Sequence, residues 1–435
     1  MNFFSNINLL MNTERYRGSL ILLAVLGVLL LHVSCDKPED VRPGQGETFI
    51  KLFGGNGSEF GHDLALMPDG GFAMTGSTTS NSIGGRDLFV VRADSLGNVL
   101  WQHNFGSSGD DVGNAIVLGE DNNIYVCGAY TQDIPVGTNL RDAYVVGLSM
   151  DGSLIGEFTY GDSLRDEVGT GISGINGGGF LITATWLTDI PSYFITETDA
   201  NLLPIDKRSR YLSPSGGVSN TSLSSFERSD LLPTEQPFIA IGTAEASFDD
   251  SGARRRTFKF QASYFNTIQD DTPPVLYGDN DSNSFCTDVE VTADGSYILC
   301  GYTVSGTTAN EMVVKVKKGR FLEPQWQSVY SNEFNSNIRN PGICETNDGG
   351  FVVVSTIELS DPLNNEISVL KLNFQGEEEW RKTFGSNADD SGADVVQLAD
   401  GSYVVVGTIG FEINPSSGSK LCLMKLNANG ALVPL

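Results

Sequence analysis

The sequence is poor in histidine, cysteine and positive charge. Its 435 residues include only 3 histidines and 6 cysteines, and 54 acidic residues outnumber 27 basic ones, giving a formal net charge of −27. So few histidines exclude a histidine-rich metal site. The excess negative charge repels phosphate backbones, which excludes nucleic acid as a partner. It also disfavours adsorption to anionic lipid, so any attachment to a membrane requires a covalent or spanning anchor.

Long hydrophobic runs are also lacking, with one exception near the start. Residues 20–31 (LILLAVLGVLLL) follow Arg15 and Arg17. The run is too short to span a bilayer comfortably and is typical of a secretory signal. It leads to Val33-Ser34-Cys35, and a small residue directly before cysteine resembles the lipobox of bacterial lipoproteins. His32 departs from that pattern, which usually has leucine there. An ordinary cleaved signal or an uncleaved N-terminal anchor is the alternative.

The lipoprotein resemblance implies a lipid anchor and a location in the cell envelope. Residues 1–34 would be the signal peptide, and Cys35 would carry the lipid, palmitate included, as the new N-terminus. Residues 35–46 are polar and read as a flexible tether. Their acidic start, Asp36-Lys37-Pro38-Glu39-Asp40, resembles the surface-export signals of some lipoproteins. We therefore predict a protein held in the cell outer membrane by its lipid, on the surface-exposed or the periplasmic face.

Five cysteines remain after such processing, besides Cys35. They are Cys127, Cys286, Cys300, Cys344 and Cys422. Their odd number and lack of short paired spacings fit neither a disulfide framework nor a zinc site. Cys127 and Cys300 occupy equivalent places in apolar strands, which predicts buried free thiols.

The strongest signal is a repeated unit. A turn of Asp-Gly type is followed by an apolar strand, as in Asp69-Gly70-Gly71-Phe72 and Asp294-Gly295-Ser296-Tyr297. The residue that ends each such strand serves below as the reference residue of its repeat. The reference residues are Gly76, Gly128, Ala184, Gly242, Gly301, Ser355 and Gly407. The mean step between them is about 55 residues, so seven copies fill residues 47–435.

Each copy predicts four short antiparallel strands. The Asp-Gly turn joins the first two, because glycine adopts positive φ without steric cost. Seven such copies predict an all-β fold, a seven-bladed β-propeller of four-stranded blades. Thr48–Gly55 matches a fourth strand without its three predecessors, and the last copy has only three strands. The N-terminal strand should therefore complete the last blade.

The repeat resembles β-propeller repeats of bacterial secreted proteins and envelope lipoproteins. The residues that carry the resemblance are the Asp69-Gly70-Gly71 turn with Gly76, the strand at Asp87, and Trp101 with Phe105-Gly106. This resemblance implies a propeller that displays loops for binding, without naming a ligand.

Polar residues recur where one blade passes to the next. In six of the seven copies, counting six residues from the aromatic residue of the fourth strand selects Glu59, Asp111, Asp166, Asn283, Ser336 and Asp390. A partial ring of carboxylates at a channel mouth would bind a cation, a basic peptide or sugar hydroxyls. Alternatively, these side chains cap backbone N–H groups where strands begin.

Two further segments are candidates. Arg254, Arg255 and Arg256 form the only basic cluster, either a solvated loop tip beside Asp249 and Asp250 or a contact for an acidic partner. Asp279–Asn283 faintly resembles a calcium loop but lacks its glycine and distal glutamate. The tryptophans of the fourth strands are expected to pack between blades rather than stack on sugars.

No nucleophile motif, phosphate loop or histidine metal motif is present. The sequence thus favours a monomeric, non-catalytic scaffold that needs no cofactor and binds an envelope protein or a glycan. The alternatives are a surface polysaccharide hydrolase or lyase built on paired carboxylates, and a periplasmic scaffold for outer-membrane assembly.

Overall fold

The computed structural model describes most of the chain from residue 48 onward. The described ranges are 48–132, 140–161, 164–175, 177–186, 192–210, 218–228, 238–250, 253–265, 274–319, 321–331, 338–360, 363–413 and 416–432. The predicted signal peptide, Cys35 and the tether lie outside these residues. No described residue belongs to a helix long and apolar enough to cross a membrane.

The described chain forms 28 strands. In order they are β1 (Phe49–Phe53), β2 (Glu59–Leu66), β3 (Phe72–Thr78), β4 (Asp87–Ala93), β5 (Val99–Phe105), β6 (Val112–Leu118), β7 (Ile124–Thr131), β8 (Arg141–Leu148), β9 (Leu154–Tyr160), β10 (Glu167–Gly174), β11 (Phe180–Trp186), β12 (Ser192–Thr198), β13 (Pro204–Arg210), β14 (Val218–Arg228), β15 (Phe238–Asp250), β16 (Ala253–Phe265), β17 (Val275–Tyr277), β18 (Asn283–Val291), β19 (Tyr297–Ser305), β20 (Thr308–Val316), β21 (Pro324–Tyr330), β22 (Ile338–Glu345), β23 (Phe351–Ser360), β24 (Leu363–Leu372), β25 (Glu378–Phe384), β26 (Ser391–Gln397), β27 (Tyr403–Ile413) and β28 (Ser416–Leu426).

The strands pair into seven four-stranded antiparallel sheets. Each sheet contacts the next through its first strand, and β2 contacts β26, β27 and β28, so the sheets close into a ring. The predicted all-β propeller of four-stranded antiparallel blades is thus confirmed. The blades are numbered here from β2–β5 (blade 1) to β26–β28 with β1 (blade 7).

The N-terminal strand closes the ring. β1 pairs antiparallel with β28, from Phe49 opposite Lys425 to Phe53 opposite Leu421. Strands from the two ends of the described chain therefore lie in one blade, as the missing fourth strand of the last repeat predicted. This pairing also leaves β28 no free edge.

Local turn chemistry explains why these residues form hairpins. Gly70 (φ 78°) and Gly401 (φ 83°) have the positive φ that the turn requires. A basic residue of the third strand then reaches the turn aspartate of its blade. The pairs are Arg92–Asp69, Lys315–Asp294, Lys371–Asp348 and Lys425–Asp400. Although partial burial raises the pKa of Asp69, hydrogen bonds from Gly71 N–H and Arg92 hold it below its usual value.

The hydrophobic core lies between blades. The cluster between blades 7 and 1, for example, joins Leu64 and Phe89 to Val406 and Leu421. The outer-strand tryptophans pack as predicted, because a side chain on Gly152 or Gly376 of the following blade would collide with Trp101 or Trp326. All five described cysteines are buried and free, so the prediction for Cys127 and Cys300 is confirmed.

Blade 4 corrects one expectation. The arginine run does not form a loop tip but lies in β16, where Arg254 is paired with Asp249 and Arg255 with Phe248. The hairpin of β15 and β16 continues as far as Asp250 opposite Ala253. Residues whose polarity suggested a loop are therefore paired in strands. The side chains of Arg254, Arg255 and Arg256 lie outside the described residues, so their proposed role stays a prediction.

Candidate functional site: the central channel

The first strand of each blade is its inner strand, which lies at the channel. In five of the seven blades the inner strand carries a β-bulge at the same position. The register shifts between Gly61 and Asp63, and likewise at four equivalent positions. Those four lie between Gly113 and Ala115, Gly169 and Gly171, Cys286 and Asp288, and Gly392 and Asp394. A bulge adds one residue and redirects its side chain. The bulge therefore decides which side chains face the channel.

Three of the five bulged side chains bind the following blade. His62 Nδ1 lies 2.9 Å from Gly113 O, and Asn114 Nδ2 donates to Gly169 O at 2.8 Å. Thr287 Oγ1 donates to Pro341 O at 2.5 Å. Burial lowers the pKa of His62, so its ring is neutral and donates the Nδ1 proton to that carbonyl.

In three inner strands the residue directly after the bulge is an aspartate, and the three aspartates occupy equivalent positions. They are Asp63, Asp288 and Asp394. Asp63 accepts the N–H groups of Leu64 at 2.8 Å and of Ile116, in the next blade, at 2.7 Å. Asp288 repeats this arrangement with Val289 at 2.7 Å and Ile343 at 2.9 Å. Each of these two carboxyl groups therefore links adjacent inner strands through hydrogen bonds to main-chain N–H groups.

Asp63 and Asp394 form a coupled pair across the closure of the ring. Burial raises the pKa of Asp63 to about 7, against hydrogen bonds from Asp394 and Ile116 that lower it. Burial, and then the charge of Asp63, raise the pKa of Asp394. Two adjacent carboxyl groups of this kind share one proton, because both cannot ionise cheaply at short range.

These aspartates mark the waist of the channel. Asp63, Ala115, Asp288 and Asp394 line both a recess of about 540 Å³, on the side where the inner strands begin, and one of about 240 Å³ on the opposite side. We call these the entry recess and the exit recess. The described lining of the entry recess contains hydroxyl, amide and carboxyl groups together with Phe60, but no lysine or arginine. Among described residues, no three His, Cys, Asp or Glu side chains cluster closely enough to hold a metal ion.

Cations lie outside this lining, near aromatic residues. Arg86 lies 5.7 Å from the ring centroid of Phe60. Arg339 pairs with Glu358 at 3.6 Å, and Phe285 stacks on Tyr302 at 4.9 Å. The recess is thus acidic within, with aromatic rings and two arginines in the adjoining parts of the blades.

Two of the residues selected from the sequence, Asp111 and Asp390, are buried and accept main-chain N–H groups at strand entries. Asp111 accepts Ser107 N–H at 2.5 Å and Thr131 N–H at 2.6 Å. Asp390 accepts the N–H groups of Ser386 and, at 2.8 Å, of Gly410. Burial raises the pKa of both carboxyls, while these hydrogen bonds lower it. The geometry matches the capping alternative.

Glu59 is equally buried but is held differently. It accepts Thr78 Oγ1 at 2.9 Å and contacts Ser80 Oγ and the ammonium of Lys420. Because Lys420 belongs to β28 and Glu59 begins β2, this ion pair joins the last blade to the first.

Two selections are displaced by one residue. Glu59 begins its strand opposite Thr78. The equivalent residues in blades 3 and 5 are Glu167, opposite Trp186, and Ser284, opposite Thr303. Asp166 and Asn283 each lie one residue before that position. Asp166 instead binds Arg141 Nε and Nη2, each at 2.9 Å. Counting from the aromatic residue fails because these connecting loops differ in length. Ser336 lies outside the described residues.

The segment that resembles a calcium loop is close to a cation of the protein itself. Burial lowers the pKa of the buried Lys259, and the charges of Asp279 and Asp281 oppose that shift. The ammonium therefore already supplies positive charge to this loop, which weakens the case for calcium there.

The waist aspartates were missed, although a signal for them exists. Asp63, Asp288 and Asp394 each stand 13 residues before a reference residue, namely Gly76, Gly301 and Gly407. The hairpin between the first two strands has a constant length, so counting back from the reference residue finds them.

Comparisons with known proteins agree on the fold. No family model and no curated protein matches the chain. Among solved structures, a PL25 ulvan lyase, from a new family of polysaccharide lyases and bound to -[GlcA(1-4)Rha3S]-, superposes with a TM-score of 0.54. It is 11% identical, over 86% of this chain and 95% of that one. A second structure of PL25 ulvan lyase gives a TM-score of 0.55 at 10% identity, over 85% and 95% of the two chains. At such identities the likeness shows a β-propeller and does not extend to chemistry.

Proposed function

We propose that this is a lipid-anchored envelope protein whose propeller binds a protein or a glycan without catalysing a reaction. The observation that carries the binding role is the entry recess, a polar cavity of about 540 Å³ that combines Phe60 with several hydroxyl, amide and carboxyl groups. A cavity of this size with a few converging polar groups is a typical ligand site. Hydroxyl and amide groups suit sugar hydroxyls or main-chain amides.

Charge narrows the ligand class. Asp63, Asp288 and Asp394 face a described lining without a lysine or arginine. Such a recess repels the carboxylates and sulfates of an acidic polysaccharide and attracts neutral or basic groups. Elimination from a uronate would also develop negative charge beside these aspartates, which disfavours it here. The ligand we expect is therefore a neutral or amino sugar or a basic peptide segment.

Binding is tested with a matched pair of serine variants. Ser391 lines the entry recess at the register that Phe60 takes in blade 1, so Ser391→Trp adds bulk where the fold already accepts a ring. Ser173→Trp does the same in the exit recess. We expect an array of neutral, amino and uronate glycans and basic peptides to yield a neutral or basic ligand. Its affinity should fall at least about tenfold in Ser391→Trp, or 1.4 kcal/mol, and stay unchanged in Ser173→Trp.

Other results would overturn the binding proposal. Equal losses in both variants would remove the entry recess as the site. Release of reducing ends or of unsaturated uronate products from a polysaccharide panel that includes ulvan would establish the enzyme alternative.

The anchor is supported by the order of the N-terminal segments. An apolar run, a cysteine after a small residue, and a polar tether of about eleven residues precede β1, and that length reaches at most ~40 Å. We expect cells fed a palmitate analogue to label the wild-type protein but not Cys35→Ala. Label that persists in Cys35→Ala would reject the lipobox assignment. Protease digestion of the propeller on intact cells would place it on the outer surface and remove the periplasmic scaffold.

A further inference from the structure

The fourth strand of a blade is its outer strand, and in five blades it begins with a β-bulge. In blade 1 the register shifts between Arg92 and Ala93 of the third strand, so Leu100 is the extra residue. The equivalent residues in blades 2, 3, 5 and 6 are Ile155, Ile205, Gln325 and Glu379. A bulge redirects the side chain of its extra residue, and all five side chains are exposed. Because the strands of a blade alternate in direction, each fourth strand begins at the exit side of the ring.

The chemistry of this bulged position differs between two parts of the ring. In blades 5 and 6 the residue is polar and bound within its own blade. Gln325 Nε2 donates to Ser296 Oγ at 2.8 Å, and Glu379 pairs with Lys371 at 3.2 Å. In the consecutive blades 1, 2 and 3 the residue is leucine or isoleucine, and its exposed fraction lies between 50% and 64%. The fold therefore accepts polar residues at this position, and packing within the blade does not explain the apolar ones.

The residues just before these bulges enlarge the apolar surface. Val99 and Leu154 directly precede the bulged residues of blades 1 and 2, Leu203 comes two residues before that of blade 3, and all three are exposed. We call the surface formed by blades 1–3 the apolar arc, and its six residues are Val99, Leu100, Leu154, Ile155, Leu203 and Ile205. Single exposed leucines are ordinary, whereas a group of them over adjoining blades marks a contact with a protein or a membrane.

The N-terminal strand begins beside one end of the apolar arc. β1 is the fourth strand of blade 7, so it too begins at the exit side. Its first residue, Phe49, lies against the turn of blade 1 that leads to Val99, because a Cβ on Gly97 would be 2.8 Å from the Phe49 ring. The proposed tether before β1 reaches at most ~40 Å. A lipid on Cys35 would therefore hold a bilayer close to the apolar arc.

We propose that the apolar arc is a second membrane contact, which lies on the lipid bilayer that anchors Cys35. This inference rests on the proposed lipid anchor. Apolar side chains of a surface element settle at the boundary between the headgroups and the acyl chains. The turn before each bulge carries one aspartate, namely Asp94, Asp151 or Asp199, which an anionic surface would repel. The lipid we expect is therefore zwitterionic, and the entry recess faces away from it and stays open to its ligand.

The test measures how close single side chains come to lipid. The full lipidated chain is incorporated into phosphatidylcholine vesicles with or without a nitroxide-labelled lipid, whose nitroxide lies just below the headgroup. A fluorophore is attached to an introduced cysteine, since the five described native cysteines are buried. In Leu100→Cys and Ile155→Cys the nitroxide should remove about half of the fluorescence or more, because interfacial apolar groups lie ~5–10 Å deep. Gln325→Cys, at the same position in blade 5, and Ile83→Cys, exposed at the entry side of blade 1, should lose almost none.

Flotation of the vesicles separates the two proposals. A wild type that does not float with the vesicles would overturn the anchor and the arc contact together. A wild type that floats, with Leu100→Cys quenched no more than Gln325→Cys, would overturn the arc contact and leave the anchor standing. Shielding of the Leu100→Cys label that grows with protein concentration in the absence of lipid would show a second copy on the arc. That result would also overturn the membrane contact.

Discussion

Replacing Arg381 with methionine should lower the free energy of unfolding by about 3–5 kcal/mol, because it leaves a buried carboxylate without its cation. Glu311 of β20 is fully buried. Arg381 of β25, in the next blade, donates through Nη1 to Glu311 Oε1 at 2.7 Å and through Nη2 to Oε2 at 3.3 Å. Ser355 Oγ donates to the same carboxylate at 2.9 Å. This ion pair therefore joins blades 5 and 6 where water is excluded.

The double variant Glu311→Leu/Arg381→Met separates a lost contact from an orphaned charge. Buried ion pairs replaced by apolar residues of similar size are often neutral or stabilising, so the double variant should recover most of the loss. Lys382→Met, one residue along on an exposed position, should change stability by less than about 0.5 kcal/mol. The midpoint of urea unfolding at constant slope measures all three. A double variant as unstable as Arg381→Met would show that the pair contributes more than neutralisation of Glu311.

Phe53→Ala should destabilise the closure of the ring by about 3–5 kcal/mol, the usual cost of truncating a buried phenylalanine. Phe53 is 5% exposed and packs with Leu421 and Leu423 of β28 in the cluster between blades 7 and 1. β1 has only five residues, so it has few other apolar contacts to hold it against β28.

Leu52→Ala is the matched control, because Leu52 lies in the same strand but is 44% exposed. It should cost less than about 1 kcal/mol, since little buried area is lost. Urea unfolding compares the two variants, and limited proteolysis should cut Phe53→Ala first near residues 48–55. Equal effects of Phe53→Ala and Leu52→Ala would mean that packing of β1 does not hold the ring closed.

The sequence predicted the blades because each hairpin is specified locally. Asp69-Gly70-Gly71 and its equivalents fix a turn, and the apolar strand that follows must be buried against a neighbour. The pairing of β1 with β28 was also predictable, because a strand without a blade and a blade without a strand complement each other. Blade 4 was harder, since polar residues such as Asp249 and Arg254 pair in long strands.

The candidate site was predicted less well, because it depends on loop lengths and on contacts between distant repeats. Glu59, Asp111 and Asp390 share one register at the strand entries, whereas Asp166 and Asn283 lie one residue before it because the loops that precede them are one residue longer. The binding role of all five stays a prediction. Asp63 and Asp394 were missed because their pairing is a contact between the first and last repeats. Only the closed ring brings these two residues together. Acidic doublets such as Asp110-Asp111 and Asp389-Asp390 carried a further signal, since the first member accepts an N–H group of the preceding blade.

Three of the bulge side chains, those of His62, Asn114 and Thr287, reach in the same rotational direction, each to a carbonyl of the blade that follows. The seam is held differently: Gly61 N–H of blade 1 donates to Thr408 Oγ1 of blade 7 at 3.1 Å, beside the Glu59–Lys420 ion pair. An open array of repeats unravels from its terminal units, which have a single neighbour. Here every unit has two neighbours, so the circle offers no loose end at which fraying could start. Losing blade 2, for example, would leave His62 Nδ1 without its acceptor and Gly169 O without its donor.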